Sequence, residues 1–233
     1  ASEFEVALLK LKAQGMQKLI LDLRGNAGGY LTSAITICDH LLADKETILS
    51  VEGRNTQKEV IQATKAGLFQ TGDVVVLIDE FSASASEIVA GAVQDNDRGW
   101  VVGRRSFGKG LVQQHTEFDD GSSLRLTVSR YHTPSGRCIQ RDYHSGTDAY
   151  YEDLVQRYEN GEMDSVNNIK FAESLKFYTK KGRVVYGGGG IMPDHFVGLD
   201  KRSYSPDYLI LINSPKLIEF TFDYTHKHET ELN

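Results

Sequence analysis

Asp73-Val-Val-Val-Leu-Ile-Asp-Glu-Phe-Ser-Ala-Ser-Ala-Ser-Glu-Ile-Val-Ala-Gly-Ala-Val93 decides how this chain is read. Its first seven residues form an apolar run short enough to be a strand buried on both faces. A serine-rich turn follows. Ala85, Ile88, Val89, Ala92 and Val93 then recur at helical spacing. Strand, turn and helix in immediate succession are the unit of parallel α/β architecture.

The same unit recurs upstream. Phe4, Ala7, Leu8 and Leu11 give a helical face over 4–13, which Gly15 ends. Lys18 to Leu23 is a second buried strand. Arg24-Gly-Asn-Ala-Gly-Gly29 turns, and Leu31, Ala34, Ile35, Cys38, Leu41 and Leu42 mark the next helix. Downstream, Trp100-Val-Val-Gly103 and Ser123 to Tyr131 read as strands. In the latter Leu124, Leu126 and Val128 alternate with Arg125, Thr127 and Ser129, which predicts one buried and one wet face. We divide the chain into a core over 1–140, a polar and aromatic surface insertion over 141–186 with a helical patch from Tyr151 to Tyr158, a return of the core over 187–204, and a peripheral, helical segment over 205–233.

Composition narrows the function. Of 233 residues, 40% are apolar and 25% charged, the balance of a globular domain, and the formal net charge of −6 argues against nucleic acid, whose phosphates need basic surface. No apolar run reaches the length of a membrane helix, and no signal peptide is evident. Cys38 and Cys138 fit no metal spacing, and a disulfide between them is not expected. No His-x-x-x-His or clustered carboxylates suggest a metal, and no cofactor is implied.

Ser84 falls where a buried strand hands over to a helix. The unpaired N–H groups of a helix N-terminus suit a developing oxyanion. The competing reading is structural: Ser84-Ala-Ser-Glu87 is a capping box, and Ser82 or Ser86 could cap as well, so the segment alone leaves the three serines open. Gly108-Lys-Gly110 presents a lysine between two glycines. A lysine of ordinary pKa, ~10.4, is a poor base at neutral pH, and burial can lower it by ~3 units. The competing reading is a solvated loop lysine. Gly103 to Lys109 follows a P-loop pattern, but Gly110 replaces the Ser or Thr that would hold magnesium, and no helix pattern follows. For a serine–histidine arrangement only His115 and His132 lie near core strands, and neither has an evident orienting carboxylate. The glycine turn at 24–29 could lend an N–H from Gly28 or Gly29 to a pocket, or be only a tight turn fixed by Asp22 and Arg24.

Taken together, Leu21-Asp-Leu-Arg-Gly-Asn-Ala-Gly-Gly29, Ser82-Ala-Ser-Ala-Ser-Glu87, Gln94-Asp-Asn-Asp-Arg98, Val102-Gly-Arg-Arg-Ser-Phe-Gly-Lys-Gly-Leu-Val-Gln113, Tyr131-His-Thr-Pro-Ser-Gly-Arg137 and Gly190-Ile-Met-Pro-Asp194 resemble the C-terminal processing peptidases, tail-specific serine proteases of family S41. The motifs occur in family order over most of residues 1–200. The resemblance implies a crotonase-like (ClpP/crotonase) α/β core. It implies Ser84 as nucleophile, Lys109 as general base and Gln113 as the residue orienting the amine. Oxyanion donors would be the amides of Ala85 and of Gly28 or Gly29, with Asp95 as structural support. It further implies an unfolded or tailed polypeptide substrate with an apolar C-terminus, bound as an added strand, and a location in the bacterial cell envelope or periplasm. Family members carry a PDZ domain ahead of this region, so the chain, which starts inside a helix, reads as a core from a longer protein. Its insertion over 141–186 is longer than in simple members, with a role in assembly, including a homo-oligomer, or in substrate access. The rival expectations are a peptide-binding or oligomerising scaffold with a disassembled dyad, and acyl-CoA chemistry suggested by fold analogy.

Overall fold

The computed structural model describes residues 1–54, 56–143, 146–200, 211 and 214–232. Two compact units are present, Ala1–Gly198 and Leu199–Asn233.

In the first unit, α1 (Ser2–Ala13) leads into β1 (Lys18–Asp22), α2 (Leu31–Leu41), β2 (Thr47–Gly53), β3 (Thr56–Gln62), β4 (Asp73–Ile78), α3 (Ala85–Asp95), β5 (Trp100–Gly103), β6 (Leu111–Glu117) and β7 (Ser123–His132). Then come α4 (Gly146–Glu159), two short turns of 3₁₀ helix, the hairpin β8 (Lys176–Tyr178) and β9 (Val184–Tyr186), and β10 (His195–Phe196). One sheet has the order β1-β4-β5-β10 and is parallel throughout; Leu19 pairs with Val74, and Val76 with Val101. The other has the order β3-β2-β7-β6 and is antiparallel. The core lies where α2 and α3 pack against each other and α3 against β2, β4 and β5. Leu41, Val76, Ala90, Ala92, Val93 and Val101 are completely buried there.

The strand–helix units stand where their periodicity put them, but two expectations about burial fail. β1 and β4 are covered on one face only. Ile20 is 68% and Trp100 49% exposed, and with Val75 they border an open groove of about 710 Å³. The helices that cover a parallel sheet lie here on the side of Leu19, Val74 and Val76. In β7 the alternation is real but the apolar side is not buried: Leu124 and Leu126 are 46% and 55% exposed, because no described element packs over them. The face that carries Arg125 and Tyr131 instead borders a cleft.

Strands β2, β3 and β6 were not legible in the sequence. β3, with Gln57-Lys-Glu59, and β6, with Gln113-Gln-His115, are the polar edges of their sheet, and edges carry little apolar signal. Both cysteines are free. Among the described residues no helix is long and apolar enough to cross a membrane.

The second unit contains α5 (Pro215–Lys227) and α6 (Glu229–Leu232). Ser214 caps α5, its hydroxyl accepting from the Lys216 N–H, with proline at the first helical position. The helical reading of 205–233 thus holds over these elements; residues 205–210, 212, 213 and 233 lie outside the described ones.

Candidate active site

Ser84 occupies the turn between β4 and α3 with φ 55° and ψ −115°. An N-cap residue is ordinarily extended, so this backbone is strained for a residue with a Cβ. The turn is fixed by its own side chains. Asp79 Oδ1 accepts from the N–H groups of Phe81 and Ser82 at 3.0 and 3.1 Å, and from Gly25 N–H of the glycine turn at 2.9 Å. Ser82 is fully buried and donates to Leu23 O at 2.8 Å. Ser86 hydrogen-bonds Asn26 through its hydroxyl, at 2.8 Å to Oδ1. Of the three serines, Ser84 is the one that lines the cleft.

That cleft, about 490 Å³, is bordered by Gly28, Gly29, Ser84, Ala85, Lys109 and Gln113, with Tyr30, Leu31, Ile88 and Leu111 among its apolar walls. Lys109 is half-buried and sits two residues before β6. Gln113 is exposed and follows a register shift between Val112 and Gln113, an irregularity that re-aims the strand. Every residue expected at the site except Asp95 therefore borders one cavity. No hydrogen bond joins Ser84 Oγ to Lys109 Nζ, and among the described residues no carboxylate pairs with that amine. His115 also borders the cleft, half-exposed and 3.5 Å from Glu117; His132 lies outside it.

Gly28 (φ 96°) passes so close to the serine turn that an added Cβ would stand 2.8 Å from the Ala85 nitrogen and 2.9 Å from Ser84 Cβ. No L side chain fits there. Its N–H donates to Asn26 Oδ1 at 2.9 Å, whereas an added Cβ at Gly29 would meet nothing within 4 Å. The Ala85 N–H, at the first position of α3, has no acceptor among the described residues.

Asp95 lies away from the cleft. It and Arg137 are fully buried and pair at 2.7 Å, while Thr133 and Ser135 donate their hydroxyls to the same carboxylate. It ties the end of α3 to the turn after β7.

Residues 1–149 match the peptidase family S41. The chain belongs to this family. It is 35% identical over 187 residues to the carboxy-terminal processing protease CtpA of Bacillus subtilis (strain 168), a match covering 75% of this chain and 39% of the relative. It is 41% identical over 135 residues to the chloroplastic carboxyl-terminal-processing peptidase 3 of Arabidopsis thaliana, covering 58% of this chain and 26% of that one. A solved structure, the photosystem II D1 C-terminal processing protease, is 35% identical with a TM-score of 0.51, over 56% of this chain and 34% of its own. The chain thus spans well under half the length of these relatives.

Several contacts that hold the Lys109 loop involve Tyr150, Arg157 and Glu162, which follow the S41 match. Arg157 of α4 donates to the carbonyls of Ser106 and Arg105 at 3.1 and 2.7 Å and shares Glu162 with Arg105. Arg141 stacks between the rings of Phe107 and Tyr150, 4.0 and 4.2 Å from their centroids. Sequence reading missed these residues, as it missed Asn26, Asp79 and Tyr131. Each has at least one partner distant in the chain, such as Gly25 for Asp79, Ser86 for Asn26 and Ser106 for Arg157, and such pairings leave no local pattern.

Proposed function

We propose that this S41 chain is a serine endopeptidase core in which Ser84 is the nucleophile and Lys109 the general base. The observation that carries the reading is the strained Ser84, seated at the start of α3 in one cleft with Lys109, Gln113, Gly28 and Ala85. Neutral Lys109 takes the Ser84 proton, Ser84 Oγ attacks the scissile carbonyl, and the amine leaves with that proton. Water then hydrolyses the acyl-enzyme. The oxyanion is received by the Ala85 N–H and a second amide. Asn26 already occupies the Gly28 N–H, so Gly29 is the second donor. Gln113 orients the amine once Lys109 swings toward Ser84.

The supporting frame is a crotonase-like core, and the substrate an extended polypeptide with an apolar C-terminus. It adds as a strand beside β6, which has one unpaired edge in its sheet. In the longer protein a PDZ domain delivers that C-terminus, and the bacterial envelope is the setting.

The test is labelling by a fluorophosphonate and cleavage of an unfolded protein, in Ser84→Ala and Lys109→Ala beside the parent. Loss of both in each variant, with unchanged circular dichroism, supports the dyad. Cleavage by Lys109→Ala removes the base. A parent that binds unfolded chains without turnover supports a second reading, a peptide-binding scaffold, which is favoured by the missing Ser84–Lys109 hydrogen bond.

A further inference from the structure

Glu87 is a completely buried carboxylate on the first turn of α3. A capping box asks one thing of it, to accept from the backbone N–H of the N-cap residue. It does so: Oε2 accepts from Ser84 N–H at 2.8 Å. Three further donors, all from the Lys109 loop, converge on the same group. Oε2 also accepts from Lys109 N–H at 2.8 Å. Oε1 accepts from Gly108 N–H at 2.7 Å and from the Ser106 hydroxyl at 2.5 Å. Ser106 Oγ in turn accepts from Ile191 N–H.

We infer that Glu87 is a positioning residue of the site, its two carboxylate oxygens holding the main chain of the Ser84 turn and of the Lys109 loop in one fixed register. The inference rests on the peptidase reading above for its catalytic meaning. A buried carboxylate is costly, and among the described residues no lysine or arginine side chain pairs with it. Well-packed apolar side chains often hold two segments together at less cost. What they cannot do is fix directions, and four donors on one planar group do. All four contacts are donors, so the charged form fits the cage. Burial raises its pKa, and the four hydrogen bonds pull against that rise. Shape enforces the same approach. A Cβ at Gly108, whose φ is 90°, would lie 2.5 Å from Arg141 Cγ and 3.0 Å from Gly190 N. The loop can reach Glu87 only as glycine there. Displacing a reacting group by ~1 Å can cost about 100-fold in rate, so a clamp that sets the main chain of both reacting residues acts on the chemical step.

Two readouts on this chain test it: amide hydrogen exchange, and the rate of acylation by a fluorophosphonate together with kcat and KM on an unfolded substrate. In Glu87→Gln the NH₂ faces either the N–H groups of Ser84 and Lys109 or the Gly108 N–H and the Ser106 hydroxyl, so donor meets donor in both orientations. The amides of Ser84, Gly108 and Lys109 should then exchange at least ~10-fold faster, while Val76 and Val101 keep their protection. Acylation and kcat should fall ~100-fold with KM within ~3-fold. A merely structural glutamate would loosen all these amides together and leave the kcat–KM split unmoved. Ser106→Ala removes one donor and leaves the carboxylate. If Glu87→Gln does not fold, Ser106→Ala should show the same pattern at smaller size, confined to Gly108 and Lys109. Unchanged exchange at those amides, or acylation within ~3-fold of the parent in both variants, overturns the inference. A parent that is neither labelled nor active sinks the peptidase reading instead, and the exchange arm still decides the clamp.

Discussion

The carbonyl oxygens of Ser84 and Lys109 meet at one hydroxyl: Tyr131 Oη lies 3.1 Å from the first and 2.9 Å from the second. Its single proton serves one carbonyl at a time, so the pair is bridged within a single site. Tyr131 is buried, and that burial pushes its pKa well above the ordinary tyrosine value, which keeps the proton in place at working pH. Tyr131→Phe should cost about 1 kcal/mol of stability. It should lower kcat roughly 10-fold with KM nearly unchanged. Urea unfolding and steady-state kinetics would check both.

The two glycines beside the serine turn should behave differently. Gly28→Ala places a methyl 2.5 Å from Ala83 O at a φ of 96°, and stability should fall by ~1–3 kcal/mol. Cleavage should fall about 100-fold or more, because the methyl pushes Ser84 and the Ala85 N–H out of position. Gly29→Ala meets open space and should leave the unfolding midpoint within ~0.5 kcal/mol of the parent. Equal loss of stability in the two variants would contradict the geometry.

Ser84 should be a residue that the fold tolerates at a cost. Glycine accepts φ 55° and ψ −115° with less strain, so Ser84→Gly should raise stability by ~0.5–2 kcal/mol, or Tm by roughly 2–6 °C. Fluorophosphonate labelling should vanish. A lower Tm in that variant would show the turn to be unstrained.

The insertion should add stability in a pH-dependent way. Burial would raise the Asp97 carboxyl, but Arg183, the Lys181 N–H and the Thr179 hydroxyl outweigh it and hold its pKa below the usual value. A depressed pKa contributes stability that is present above ~3.9, the unfolded value, and is lost as pH falls through the folded one. Asp97→Asn keeps the backbone, since asparagine also accepts the observed φ of 54°. The parent's advantage over it in urea should be constant from pH 7 to about 5 and shrink below about 3.9. An advantage that persists unchanged at pH 3 would refute the assignment.

What the sequence disclosed was local. β4, the serine turn and α3 were legible because Val74, Val76 and Ile78 and the 3.6-residue spacing from Ala85 onward are signals within one window. Glu87 was legible only as half of a capping box, since the three donors that give it a second role lie 19–22 residues further on. That the hydroxyls of Ser82 and Ser86 are engaged was not legible, since it depends on the positions of Leu23 and Asn26, which take them up. The open faces at Ile20 and Leu126 were misread for a related reason. An apolar residue in a strand states a preference for cover, and whether cover exists is decided by other elements.

The hydrogen bonds between Ser106 and Ile191 run both ways, Ser106 N–H to Ile191 O and Ile191 N–H to Ser106 Oγ, across 85 positions. A chain emerging from the ribosome makes its serine turn first and meets the partner of the neighbouring loop only after Ile191 has followed. Ser84 is thus translated more than a hundred residues before the loop facing it receives its last support. Translation order thus separates the two halves of the cleft, and the loop that carries Lys109 is pinned only after the segment around Ile191 has joined the fold.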